Sequence, residues 1–497
     1  MPLTLDEVTG STERTSIYAD TWILGALIAA LVLRLINLSS AALWLDETFT
    51  ATWVRMSWMD MFRAVLSDNH LPLYPALMKA WAAVVGTSPW VLRLPSVALS
   101  CAMVPLVAAA ALPLAGRSAA RWAAYLTALF PYLIQHAQEA RMYALFGALS
   151  AVAFLQLARF LTHPSRRLGI GFVVCNLALL STHYYGVFLL AAEGLVLLAL
   201  RYSRWRDWAL AFAATCGAVI VLVLSAKLLA TPHAGSHYQI GWVALPGLIW
   251  SMIGGYALLP DSAELHAHGV EAVARYLPLA LAVAGALVVI GASAFRALSR
   301  QALLLCAVII AVPVLFPFVV SQLFDVGINP RYAMPATPAL LVLLAVGINR
   351  GVEGVPGKLS AIVLILCLIV GMSVHLYDPG HGREDVHGAT RWLEQNVPLE
   401  EEILVTSEEM AILTRFHWPQ RKLTLYPAKR IVASRNNVDQ LADGLPGVDR
   451  ARVIYIFGRD WLSDPDGSLR AALKARYGVC EGAQLRGIQI MCLRGRG

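Results

Sequence analysis

Runs of about twenty apolar residues recur along this chain from residue 21 to residue 377. A helix needs roughly that many to cross the hydrocarbon of a bilayer, and lipid offers unpaired backbone amides no partner, so such runs must become helices. Spans are predicted near 21–38, 90–113, 119–136, 140–161, 168–183, 185–201, 208–230, 274–296, 302–324, 332–349 and 358–377, eleven in all. Two further apolar stretches, 71–85 and 246–259, are short and interrupted by Pro or Gly, and read as interfacial or re-entrant helices. Only 14% of the residues are charged, against about a quarter in soluble domains. The expected class is a mostly α polytopic membrane protein.

The net charge of +7 does not call for a nucleic-acid partner, because its placement sets membrane orientation. Arg117 and Arg121; Arg159, Arg166 and Arg167; Arg201, Arg204 and Arg206; Arg296 and Arg300; Arg350 and Lys358 fall in one set of alternating short loops. The opposite set carries little beyond Arg141 and Arg331. The positive-inside rule then places the amino terminus in the cytoplasm and residues 378–497 outside. No small-residue cleavage site follows the first run, which reads as a retained anchor. The seven cysteines form no CxxC pair, so neither a zinc ribbon nor a redox motif is supported.

Residues 1–377 are thus expected to form a transmembrane unit, with a first outer loop at 39–89, and residues 378–497 an extracytoplasmic one. In the second unit "GATRWLEQNV" and "GSLRAALKARYG" have helical spacing, whereas "EILVTS" and "RVIYIFG" read as buried strands. That alternation suggests a small α/β domain. Cys480 and Cys492 flank "EGAQLRGIQIM", a spacing compatible with a hairpin closed by a disulfide in an oxidising compartment.

With orientation assigned, the unusual polar residues gather on the outer side. Asp46 and Glu47 lie just past the first span, followed by His70 and Tyr74. Glu139, Arg141 and Tyr143 stand at the next outer turn, His183 and Tyr184 at the one after, and Arg331 and Tyr332 before the tenth span. Each has an ordinary reading as surface charge, snorkelling arginine or aromatic belt, but together on one face they suit one site. Arg and His can bind phosphate oxygens and neutralise a leaving group, and a carboxylate can take a proton from an attacking hydroxyl or amine. Arg34 reads as a snorkelling residue, and Glu193, about 12 Å into the bilayer by helical rise, has no evident partner.

The stretches "LWLDETFTA", "HLPLYPALMKAW", "QEARMYALFGAL", "THYYG" and "RYAMPATPALLVLLA" resemble the bacterial branch of the protein mannosyltransferase and aminoarabinose transferase superfamily. Its members are integral membrane glycosyltransferases of GT-C fold that use polyprenyl-phosphate sugars. The resemblance covers residues 20–350. It implies a multi-pass enzyme of the bacterial inner membrane that moves a sugar, with inversion, from a polyprenyl-phosphate donor to an extracytoplasmic glycolipid, polysaccharide or protein. Under it Asp46 matches the catalytic carboxylate, Glu47 an acidic neighbour that orients the acceptor, and Glu139 the second acidic residue. His70 and Arg331 match the basic residues near the donor phosphate, although "HLPLY" stands where many relatives carry two prolines. No cofactor is implied with certainty, and a divalent metal at Asp46, Glu47 and Glu139 is left open. The alternative is a transporter or flippase of a lipid-linked saccharide. Such a protein favours polar residues at the midplane, whereas here they crowd one face.

Overall fold

The computed structural model describes residues 20–162, 165–200, 213, 215, 217, 221, 244–260, 271–324, 329–378, 384–428, 431–434, 436–459 and 463–494. The span expected at 208–230 (apart from four isolated positions) and the basic cluster Arg201, Arg204 and Arg206 lie outside the described residues. Six described helices are long and apolar enough to cross a membrane: Pro89–Leu129, Tyr143–Phe160, Leu277–Ala297, Arg300–Leu323, Pro330–Gly351 and Val355–Tyr377. The spans predicted at 21–38, 168–183 and 185–201 are shorter helices: α1 (Thr21–Leu35, 15 residues), α8 (Arg166–Leu180, 15) and α9 (Gly186–Ala199, 14). Beyond α1 the chain turns at Asn37, whose φ is 58°.

The 41-residue element α5 (Pro89–Leu129) contains Gly116 at φ 80° and is two arms, as the separate spans at 90–113 and 119–136 predict. One guanidinium shows the reversal. Arg34 donates through Nε to Ser100 Oγ at 2.8 Å and through Nη2 to the Thr127 carbonyl at 3.0 Å. In a straight helix those partners would be ~40 Å apart at 1.5 Å per residue, so the chain folds back at Gly116. Arg34 is therefore fully buried and staples the two arms; it does not snorkel. The second arm ends before the extended Phe130, and Pro131 opens a separate short helix α6 (Pro131–Ala137).

Residues 39–70 carry two helices that the sequence reading did not resolve, α2 (Leu45–Trp53) and α3 (Trp58–Ser67). The two short apolar stretches form α4 (Leu73–Val85), and α10 (Ala244–Gly254) with a 3₁₀ turn at Tyr256–Leu258. The bundle is completed by α7 (Tyr143–Thr162), α11 (Leu277–Ala297), α12 (Arg300–Phe324), α13 (Thr337–Gly351) and α14 (Val355–Tyr377). Close packing depends on small residues. A Cβ on Gly347 would lie 2.2 Å from the Ile290 carbonyl oxygen, and one on Gly371 2.3 Å from that of Gly254, the backbone proximity by which membrane helices gain van der Waals contact.

After α14, α15 (Val386–Asn396) precedes a five-stranded sheet of β1 (Ile403–Val405), β2 (Leu423–Leu425), β3 (Arg452–Phe457), β4 (Val479–Leu485) and β5 (Ile488–Arg494). The order is β2-β1-β3-β5-β4, with β1 parallel to β2 and β3, and β5 antiparallel to β3 and β4. Three helices connect the strands: α16 (Glu408–His417), α17 (Val438–Asp443) and α18 (Ser468–Arg476). The core of this domain is not closed on itself. Ala42, Trp44 and Leu45, at the start of α2, are buried in one cluster with Val386, Met410 and Ile456, and His417 bonds the Leu43 carbonyl at 2.8 Å.

Cys480 and Cys492 face each other across β4 and β5 and are bonded. Alkylation of unfolded, unreduced protein is expected to spare both, with two further adducts at these positions after reductant. Modification of either without reductant contradicts the bond.

Candidate active site

The turn that begins α2 sets two adjacent carboxylates on different tasks. Asp46 points to Arg331, whose Nη1 donates to its Oδ2 at 2.8 Å, both side chains keeping some exposure (21% for Arg331, 19% for Asp46). Arg331 is aimed by the segment before α13: the Asn329 side chain accepts the Arg331 backbone N–H. Its guanidinium also lies over the rings of Tyr143 and Trp44, 5.1 and 5.9 Å from their centroids. Arg141 approaches the same carboxylate from the turn before α7, donating through Nη1 to the Asp46 carbonyl at 3.0 Å and through Nη2 to His70 Nε2 at 2.8 Å. A guanidinium can only donate, so His70 Nε2 accepts and Nδ1 carries the proton, which it gives to the Asp68 carbonyl at 2.8 Å. Burial pushes the Asp46 carboxyl up, but the charges of Arg331 and Arg141, the Arg331 hydrogen bond and the charge of Arg459 more than offset it and hold it below the usual carboxylate range.

Around this pair stands a nest of rings. His183 lies 5.3 Å from Tyr332 and 5.9 Å from Tyr143, and Tyr185 packs on Tyr332 at 4.2 Å between centroids with the rings tilted by 31°. Tyr185, not Tyr184, takes part. The Tyr184 hydroxyl is buried away from any partner among the described residues. Tyr74 is buried on α4.

Glu47 departs from the expectation that it orients an acceptor. It is fully buried, and its Oε1 accepts from Arg93 Nε at 2.8 Å and from the Ala140 N–H at 2.7 Å. Its Oε2 accepts from Arg93 Nη2 at 2.6 Å and from the Trp44 N–H at 3.3 Å. Arg93 in turn donates to the carbonyls of Leu38, Ala41 and Ala42. This forked pair locks α2 to α5 and to the turn before α7, and thereby fixes Asp46. The sequence reading passed over Arg93 inside the run "SPWVLRLPSVAL"; an arginine three residues from the start of a span was the available signal. His136 was also missed. It is buried at the end of α6, within 3.1 Å of Glu139 Oε2 through Nδ1, and packs edge-on to Tyr132.

Asp46, Glu47 and Glu139 therefore face separate partners, and among the described residues no three acidic, histidine or cysteine side chains gather as a metal site. The residues present do not fit a shared divalent ion. Two polar atoms stand out instead: Arg331 Nε and Arg141 Nε are buried and meet no acceptor among the described residues. Buried donors left unmatched cost free energy, and two such guanidinium edges beside one carboxylate are suited to an anion with several oxygens.

No family model matches the sequence, and no curated protein sequence matches it. Solved structures do match the fold. ArnT from Cupriavidus metallidurans bound to undecaprenyl phosphate superposes with a TM-score of 0.54 at 13% identity, over 95% of this chain and 98% of that one. The apo state of the same protein gives 0.53 at 15% identity, over 96% and 98%. The archaeal oligosaccharyltransferase AglB from Archaeoglobus fulgidus, in complex with an inhibitory peptide and a dolichol-phosphate, gives 0.52 at 12% identity, over 96% of this chain and 74% of that one. The chain has the fold these proteins share, the GT-C fold of polytopic membrane proteins, with a small carboxy-terminal sheet.

Proposed function

We propose that the protein is a membrane glycosyltransferase that moves one sugar from a polyprenyl-phosphate donor to an extracytoplasmic acceptor. The observation that carries this is the Arg331–Asp46–Arg141 arrangement, with its two unmatched guanidinium edges. The fold agrees, since two of the matching structures hold a polyprenyl phosphate. A donor phosphate displaces Asp46 as the partner of Arg331. The freed carboxylate, still ionised, then takes the proton from the acceptor's hydroxyl or amine as that atom bonds to the anomeric carbon. The bond from that carbon to the phosphate oxygen breaks, its electron pair leaves on the lipid phosphate, and Arg331 and Arg141 hold the charge. A single displacement inverts the anomeric centre. The ring nest of Tyr143, His183, Tyr185 and Tyr332 covers the sugar.

Arg331→Ala is expected to weaken binding of undecaprenyl phosphate by about 10-fold or more, within the 1.5–3 kcal/mol of a charge-assisted hydrogen bond. Arg331→Lys recovers only part, since a lysine lacks the planar fork. Unchanged affinity in the alanine variant, measured by titration of purified protein, contradicts the phosphate role.

In this reading the protein sits in a bacterial inner membrane, with its amino terminus cytoplasmic and residues 378–497 outside. Glu400→Cys, exposed ahead of β1, should react with an impermeant thiol reagent in intact cells, and Glu353→Cys, exposed after α13, should not. Equal labelling overturns the orientation.

A further inference from the structure

One ring links the Asp46–Arg331 pair to a cleft of about 320 Å³: Trp44, over which Arg331 is placed, stands in the cleft's wall. Five chain regions make the cleft: the stretch from the turn after α1 to Trp44, with Ser40; α5, with Arg93; the end of α6 and the turn after it, with Gln138 and Glu139; the end of α14, with His375; and the β4–β5 turn, with Arg486. The outer domain thus completes a hollow whose floor belongs to the membrane bundle.

Its polar groups are held in place by the fold. Gln138 Nε2 donates to the carbonyls of Arg34 and Ile36, at 3.2 and 2.7 Å, while its Oε1 accepts from His375 Nε2 at 3.0 Å. Glu139 is held from behind by His136. Arg486 sits on a turn made by Gly487 at φ 67°, and its carbonyl accepts the Asp385 N–H at 2.8 Å. The volume is near the lower end of the roughly 300–1,000 Å³ of ligand pockets, room for one or two sugar rings and too little for a lipid tail. The Trp44 indole on this wall, beside the polar side chains of Asn37, Ser40, Asp378 and Arg486, suits a ring with C–H faces and hydroxyl edges.

We propose that this cleft is the acceptor subsite, and that the acceptor presents a saccharide headgroup. The inference rests on the transfer reading above and adds to it where the acceptor lies and what chemical class it is. It also gives the outer domain a role, because Arg486 closes the hollow from that side.

The test uses the full-length protein in nanodiscs, with Ser40→Trp, which fills the cleft from an exposed position, and Arg486→Ala, which removes the outer wall. Titration with undecaprenyl phosphate reads the donor site. Transfer from a panel of synthetic polyprenyl-phosphate pentoses and hexoses to the parent strain's extracted envelope glycolipids reads the acceptor site. Undecaprenyl phosphate affinity is expected to hold within about twofold in both variants. The acceptor concentration for half-maximal transfer should rise by about tenfold or more in Ser40→Trp, and by a few-fold in Arg486→Ala. A Ser40→Trp protein that binds undecaprenyl phosphate and shows parental acceptor dependence overturns the subsite, as does one that loses undecaprenyl phosphate affinity, which would assign the cleft to the donor. A parental protein that binds no undecaprenyl phosphate overturns the transfer reading itself, and the subsite with it.

Discussion

Asp46→Asn is expected to insert, fold and bind undecaprenyl phosphate, yet transfer sugar roughly 10²–10⁴-fold more slowly, the usual contribution of a general base. The asparagine keeps the size of the side chain and can still accept from Arg331, so the two-guanidinium cradle persists. It loses the basic oxygen that takes the acceptor's proton. The pH behaviour follows from the sign of the shift. Folding depresses the Asp46 carboxyl below its ordinary value, because Arg331 and Arg141 outweigh burial. What its charge contributes is fully present above the unfolded value, and is lost only as pH falls through the still lower folded one. In the free protein Asp46 is therefore ionised throughout about pH 5–8, and the variant's defect in kcat/KM, which reports the free enzyme, should be constant over that window. Initial rates of purified parent and variant at several pH values check this. A near-parental rate, or a defect that disappears toward pH 5, contradicts the assignment.

Glu47→Gln is expected to fail differently, through folding. Its carboxylate and Arg93 are both buried, and the pair is forked. Removing one charge strands the other in a low-dielectric interior, at a cost of about 3–5 kcal/mol. The same carboxylate accepts the Ala140 N–H on one oxygen and the Trp44 N–H on the other, and the single amide oxygen of the glutamine can keep only one of them, so α2 loses its anchorage at one end of this network. The expected result is a lower yield of correctly inserted protein and a lower unfolding midpoint, with the rate per folded molecule reduced much less than in Asp46→Asn. An Arg93→Met, Glu47→Leu double variant, which leaves no stranded charge, should regain part of the stability. A Glu47→Gln protein as stable as the parent but inactive would return Glu47 to a direct role with the acceptor.

The contrast between these neighbours marks where sequence reasoning stops. Asp46, Arg141 and Arg331 could be gathered on one face because membrane topology follows from apolar length and loop charge, both local properties. The same logic gave the strands "EILVTS" and "RVIYIFG" and the disulfide hairpin. It could not divide labour between Asp46 and Glu47, since that depends on Arg93, 46 residues away and inside an apolar run. His136 was hidden in the same manner at the end of a predicted span. The helix α2 escaped notice because its start packs on partners remote in sequence, the core of the carboxy-terminal sheet domain, and α3 because its few buried apolar residues, Met61 and Val65, pack locally on α2. Glu193 is fully buried on α9, and the sequence gives no sign of what packs against it.

The central claim is that this protein adds one sugar to an envelope acceptor, with Asp46 as the base. Mass spectrometry of envelope glycolipids and glycans tests it directly, comparing the parent strain, a deletion, and the deletion complemented with parental protein or with Asp46→Asn. The account predicts that one class of molecules in the deletion lacks a single pentose or hexose unit, and that the parental protein restores the unit while Asp46→Asn, present in the membrane at equal amount, does not. Identical envelope profiles in the parent and the deletion, or full restoration by Asp46→Asn, would contradict it.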